Sequence, residues 1–191
     1  MASKLVSQPL RLHMCSALSN GAAAVIVISE SEARRRGGKS LRVRAVSVLS
    51  NDPDSPRSPT SAAGSRAFDL AGIGPEDVDF AEVHDAAAPA ELIIMEELGL
   101  APLGEAFKML RSGRTSLGGD LPINSSGGLL SRGHPLGATG CAQIVELCDQ
   151  LRGRSGARQI PSARIGLAQN GGGILEGDEA TVSVSILENV S

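Results

Sequence analysis

The chain has 191 residues, 41% of them hydrophobic and 20% charged, and a formal net charge of −3. That balance excludes a disordered polymer and offers no basic footprint for nucleic acid, and with no tyrosine a catalytic phenol is excluded outright. Three cysteines without a CxxC spacing indicate neither a disulfide framework nor a metal site, and no apolar run reaches the roughly 18 residues of a membrane span.

The length suits one domain with a small extension. Nothing at the N-terminus resembles a signal peptide, so a cytoplasmic, membrane-free protein is expected. Residues 1–20 carry no clear periodicity. Gly21–Ser29 is a continuous apolar run, the pattern of a strand buried on both faces. Ser31–Gly38 reads as a polar helical turn stopped by paired glycines, and Leu41–Leu49 as a strand with one covered face. Asn51–Pro59, with its prolines, is a loop. A helix is predicted over Ser61–Ala71, a strand over Asp77–Val83, and a helix opened by Pro89 that runs through Leu98 to a stop at Gly99. Glu105–Leu110 makes a short helix and Leu121–Asn124 a short strand. A glycine-rich loop follows from Gly127 to Gly140. Cys141–Leu151 is amphipathic, with Ile144, Leu147, Cys148 and Leu151 on one stripe, and strands at Ile165–Ala168 and Thr181–Leu187 close the chain. Strands alternating with helices predict an α/β layered domain.

The stretch from Asn124 to Gly140 is the most informative. It holds five glycines, with His134 between Gly133 and Pro135, and a helix start directly behind. Backbone N–H groups at such a start favour negative charge, and Pro135 restrains the histidine before it. On spacing alone, a glycine-rich turn with a surface histidine explains the pattern equally well. Cys141 and Cys148, two helical turns apart, are read as packing, and Cys15 as a buried structural thiol. His13 has no partner in sequence. Arg34–Arg36 reads as a solvated helix end and Asp85 as pointing away from its neighbour.

Gly133-His-Pro-Leu-Gly-Ala-Thr-Gly140 resembles the GHPxGxxG signature of thiolases, most nearly the sterol-carrier-protein type. Three further stretches fall in that family's order. Ser16-Ala-Leu-Ser-Asn-Gly-Ala-Ala-Ala-Val25 is similar to S-x-x-N-D-G-A-A-A. Glu82-Val-His-Asp-Ala-Ala87 resembles E-x-N-E-A-F or E-x-H-D-x-F. Gln169-Asn-Gly-Gly-Gly173 stands where the family has C-x-G-G-G. The resemblance spans nearly the whole chain, residues 14–187.

The resemblance implies a thiolase-like C-terminal domain over residues 31–191. Its mixed sheet would have five strands with helices on both faces. Residues 1–30 would carry one strand left from an N-terminal repeat, the strand of Gly21–Ser29. His134 matches the histidine that activates the nucleophile and helps bind the thioester oxygen. His84 matches the other oxyanion group, and the Gly171 N–H the donor of a second oxyanion hole. Ser16 matches the serine that touches the pantetheine arm. Asn124, Gly133 and Gln169 are the remaining candidate substrate-binding positions. Coenzyme A is expected only as part of the substrate, with no covalently held cofactor and no metal. The acyl-accepting cysteine lies in the repeat this sequence does not show, and the acid/base cysteine is replaced by Gln169, with Ala86 at the alternative position. A glutamine exchanges no proton near neutral pH. The implied function is an acyl-coenzyme A acyltransferase or C–C bond-cleaving subunit for β-keto- or β-hydroxyacyl thioesters in a catabolic setting. It would work as a homo- or hetero-oligomer with a chain supplying the other repeat. The alternative is a non-catalytic scaffold or acyl-coenzyme A-binding subunit.

Overall fold

The structure, a computed structural model, describes residues 3–37 and 40–190. Its centre is a β-hairpin made by β5 (Ile165–Leu175) and β6 (Asp178–Asn189). Glu176 and Gly177, both at positive φ (52° and 90°), form the two-residue turn whose twist matches the paired strands. On one side β6 pairs antiparallel with β3 (Leu41–Ser50), and on the other β5 pairs parallel with β4 (Phe80–Glu82). The order is β3-β6-β5-β4, a mixed four-stranded sheet. Upstream, β1 (Leu5–Ser7) and β2 (Leu10–Arg11) form a separate two-stranded ribbon, and α1 (Glu30–Arg36) follows it. The polar helix expected at 31–38 is therefore present. Ser29 caps it and Gly37 closes it, while Gly38 lies outside the described residues.

The sheet has a core on each face, which the strand alternation produces. Val182, Val184 and Ile186 of β6 face α2 (Pro59–Ala71) and α3 (Ala88–Glu97), joined in one cluster by Ala63, Ala67, Met95 and Leu98. Leu187 of β6, Phe80 of β4 and Ala168 of β5 face the other way. They pack on Leu147 and Leu151 of α6 (Thr139–Leu151). Two shorter helices, α4 (Ala106–Arg111) and α5 (Gly128–Arg132), border the sheet. Helices on both faces match the expected layering. Among the described residues no helix is long and apolar enough to cross a membrane.

Four expectations are corrected. The fifth strand, Leu121–Asn124, is reduced to one bridge, Ile123 beside Ala81. Pro122 has no N–H to give, and Asn124 turns into the left-handed region at φ 53°, so the ladder cannot extend. Gly21–Ser29 forms no strand: it pairs with no strand among the described residues, and Ile26 and Val27 are 91% and 78% exposed. A strand needs a neighbour for its N–H and C=O groups, and the described residues offer none there. Part of the glycine-rich loop is helical, as α5. Cys141 is exposed rather than packed, whereas Cys148 is half-buried against the α6 core.

Candidate active site

β4 ends at Glu82, paired with Ala168 in the middle of β5, so the residues just beyond β4 run beside the Gln169–Gly173 part of β5, which extends past the strand expected at Ile165–Ala168. Glu82, fully buried at the end of β4, accepts hydrogen bonds from the Ser126 N–H (3.0 Å) and the hydroxyls of Ser125 and Ser126. This draws the glycine-rich segment against the strand. Asn124 completes the join: its Oδ1 accepts from the Val83 N–H (2.8 Å) and its Nδ2 donates to Glu91 of α3 (2.8 Å). Asp85, expected to point away, is buried and caps α5, its carboxylate accepting from the N–H groups of Leu129 (2.7 Å) and Leu130 (3.4 Å). That tertiary cap explains why a helix forms inside a glycine-rich loop.

Beyond α5 the chain turns at Gly133, φ +85°, where an added Cβ would meet the Ser19 hydroxyl at 2.6 Å. The N-terminal segment therefore backs the histidine loops from outside, and Ser16 is not among the residues that line the cavity. The His134 N–H donates to the Ala17 carbonyl (2.8 Å), and the Ser16 N–H donates to the Ala86 carbonyl (2.9 Å). Cys15 bridges Ala87 in the same way. Held between these contacts, the rings of His84 and His134 stand edge to face with centroids 4.9 Å apart. Both line a cavity of about 600 Å³ together with Asn170 and Gly171–Gly173 of β5, Ile93 and Ile94 of α3, and Glu179 of β6. Three motif segments, those of Val83–Asp85, Gly127–Gly140 and Gln169–Gly173, thus converge.

The polar partners are specific. His84 Nδ1 lies 3.0 Å from Asn170 Nδ2, and the same Nδ2 donates to Gln143 Oε1 (3.0 Å). His134 Nδ1 lies 2.8 Å from the Thr139 hydroxyl, itself 3.1 Å from the Pro135 carbonyl. Burial, and next the neighbouring His134, push the His84 imidazole down to about 4. Burial and Arg132 also hold His134 below the usual imidazole range, against the pull of Asp85. Near neutral pH both rings are neutral, the state in which an imidazole accepts a proton at one nitrogen and donates from the other. Glu179 sits above its ordinary range chiefly through burial, although Thr60 and Gln169 donate to its carboxyl.

The remaining candidates divide. Gly171 belongs to the cavity wall, and an added Cβ there would run into the Glu179 carboxylate, which would have to move aside. Gln169 is fully buried behind that wall: Oε1 accepts the His84 N–H (3.0 Å) and Nε2 donates to Thr60 (3.2 Å) and Glu179 (3.3 Å). Asn124, Gly133 and Gln169 therefore shape the site rather than face into it. His13 is exposed and outside the cavity. Asn170, Gln143, Thr139 and Glu179 were missed in the sequence. Asn170, inside the Gln-Asn-Gly-Gly-Gly stretch, and Thr139, inside Gly133–Gly140, carried a signal; Gln143 and Glu179 did not. Among the described residues no group of histidine, cysteine and carboxylate side chains is arranged to hold a metal ion.

Comparisons with known proteins bear on the family and the fold. The thiolase C-terminal domain-like family model matches residues 43–188. An acetyl-CoA acetyltransferase from Methanothermobacter thermautotrophicus is 42% identical over 180 residues, 91% of this chain and 47% of the relative. Human sterol carrier protein 2 is 40% identical over 89% of this chain and 33% of its own length. A benzoylsuccinyl-CoA thiolase subunit from Thauera aromatica is 39% identical over 90% of this chain and 46% of that subunit. The chain thus spans half or less of the curated relatives it matches. The solved structure of an Ltp2-ChsH2(DUF35) aldolase superposes with a TM-score of 0.81 at 23% identity, over 98% of this chain and 50% of that one, a likeness of fold.

Proposed function

Because this chain belongs to the thiolase family through its C-terminal domain, we propose that it is a subunit that makes or breaks a C–C bond beside an acyl-coenzyme A thioester. The observation that carries the reading is the edge-to-face pair of His84 and His134, 4.9 Å apart on one cavity wall with Gly171. A thioester enolate needs fixed donors at its oxygen and one proton-transfer group nearby, and two neutral imidazoles with a backbone N–H supply them. In this reading His134 carries the proton, while His84 and the Gly171 N–H hold the oxygen. Ser16 meets the pantetheine arm, and Asn124, Gly133 and Gln169 hold the loops. Coenzyme A enters only with the substrate.

Retro-aldol cleavage of a β-hydroxyacyl thioester suits this set better than thiolysis. His134 takes the hydroxyl proton, the Cα–Cβ bond breaks to give an aldehyde or ketone, and its electron pair forms the enolate. Protonation of the α-carbon then releases the shortened acyl-coenzyme A. No step transfers an acyl group to cysteine, and no cysteine lines the cavity. A second, non-catalytic reading as an acyl-coenzyme A-binding subunit is favoured by the same missing thiol and the buried Gln169. The rest of the site, including the coenzyme A grip, would come from a partner chain or a second copy, in a catabolic cytoplasmic setting.

The test is an assay of the purified protein, with any partner that copurifies, on acetoacetyl-coenzyme A plus coenzyme A and on 3-hydroxybutyryl-coenzyme A. Acetaldehyde release from the second ester is expected, with thiolysis of the first very weak, and His134→Ala should lower the rate about 10²–10⁴-fold. Fast coenzyme A-dependent thiolysis would refute the lyase reading. Tight acyl-coenzyme A binding with no turnover of either ester would establish the binding subunit instead.

A further inference from the structure

We infer that Asn170 is a positioning residue that locks His84 in the tautomer with its proton on Nε2, while the Thr139 hydroxyl leaves His134 free to exchange its proton. The inference rests on the proposed site and divides the labour within it: one fixed donor, one acid/base.

The argument starts from a group with no ambiguity. Gln143, fully buried on α6, places its Nε2 at 2.9 Å from the Gln169 carbonyl and 3.4 Å from the Glu82 carbonyl. Backbone carbonyls only accept, so that end of the amide is the NH₂ and the other end is the oxygen. The oxygen faces Asn170, so the Asn170 atom 3.0 Å away is its NH₂, which also points at His84 Nδ1, 3.0 Å away. His84 Nδ1 must then be the bare, accepting nitrogen, and the proton sits on Nε2. A proton on Nδ1 would face the amide hydrogens, which agrees with the depressed titration of this ring. The His84 N–H is itself held by Gln169, so both the ring and its backbone are fixed.

His134 is held differently. The Thr139 hydroxyl, 2.8 Å from Nδ1, can give its hydrogen to the ring or to the Pro135 carbonyl, 3.1 Å away. That carbonyl already accepts the N–H groups of Ala138 and Thr139, so it loses little when the hydroxyl rotates away. A rotating hydroxyl follows the ring through a change of protonation, which an anchored amide cannot do. Charged and titratable groups near the pair are Arg132 and Asp85 beside His134, and Glu97, Asp178 and Glu179 further along the cavity.

The chain has three histidines, so ¹⁵N-histidine labelling of the full chain gives few signals, and His13→Gln assigns the one outside the site. The expected two-bond ¹H–¹⁵N pattern at neutral pH puts the His84 proton on Nε2. In Asn170→Asp the new carboxylate accepts a hydrogen bond from Nδ1, so the tautomer should invert and the His84 titration should rise well above about 4. The rate on 3-hydroxybutyryl-coenzyme A should fall about 10²–10³-fold in kcat with KM little changed, as for loss of one oxyanion donor. A parent spectrum with the His84 proton on Nδ1 overturns the inference whether or not the variant folds. So does an Asn170→Asp protein whose His84 keeps its tautomer and titration. A locked Nε2–H in a protein that turns over neither ester would uphold the lock and sink the proposed reaction instead.

Discussion

His84 shows how much a single side chain owes to its surroundings. A histidine between Val83 and Asp85 carries no hint in sequence of an imidazole that resists protonation down to about 4. Burial and the second ring produce that, and both are tertiary. The consequence for stability has a definite sign. The unfolded chain takes up the proton near the ordinary value of about 6.5 and the folded one only near 4, so between them the unfolded state binds more protons and stability falls as pH falls. The buried carboxyls of Glu82, Asp85, Glu91 and Glu179, all shifted upward mainly by burial, act in the opposite sense. The measurement must therefore isolate the ring. Urea denaturation of the parent and of His84→Asn at pH 7, 6, 5 and 4.5 should show the parent losing stability relative to the variant. Partial exposure of the ring reduces the effect to on the order of 2 kcal/mol. A constant gap across that range would show that His84 is protonated equally easily in both states.

At the scale of elements, the short helix α5 is the part whose existence depends most on contacts from elsewhere. Five residues are too few to hold a helix in water, and the segment opens on paired glycines at positive φ. It forms because Asp85, on the loop after β4, meets the N–H groups of Leu129 and Leu130 while Leu129 is fully buried. Asp85→Ala strands those donors in a site too buried for water to replace the carboxylate. A loss of about 1–3 kcal/mol is expected by urea denaturation, with faster hydrogen exchange at Leu129 and Leu130. Because α5 leads directly into Gly133 and His134, the same variant should lower turnover. If Asp85→Ala melts like the parent and keeps slow exchange at those amides, the cap is not what orders the helix. The longer helices behave otherwise. The apolar stripe of α6 and the capping serine of α2 are local, and both helices stand within two residues of where the sequence puts them.

The whole molecule leaves apolar surface uncovered. Val25, Ile26, Val27 and Ile28 are 39–91% exposed along an unpaired segment, and Val46 and Val48 of the edge strand β3 are exposed as well. A soluble monomer rarely tolerates unpaired apolar backbone beside an open sheet edge. A homo- or hetero-oligomer burying more than roughly 1,000 Å² is expected, with residues 21–29 in the interface. Light scattering combined with cross-linking from an Ile26→Cys variant would detect it. A stable monomer at micromolar concentration would end that expectation.

The ordered motifs around Ser16, His84, His134 and Gly171 were legible without coordinates, because short glycine-rich and histidine-bearing loops carry their chemistry in consecutive residues. So were the α/β layering and most element boundaries, since periodicity and punctuation by glycine and proline are local properties. Tertiary structure decided the rest. It reduced Leu121–Asn124 to a single bridge, left Gly21–Ser29 unpaired, and turned Gln169 from a candidate ligand into a buried strut beneath His84. It also joined Asn170 to Gln143, and Glu179 to Thr60, across 27 and 119 residues of chain. Pairing partners, burial and the direction of an amide depend on what lies across the fold, and no window of sequence contains that.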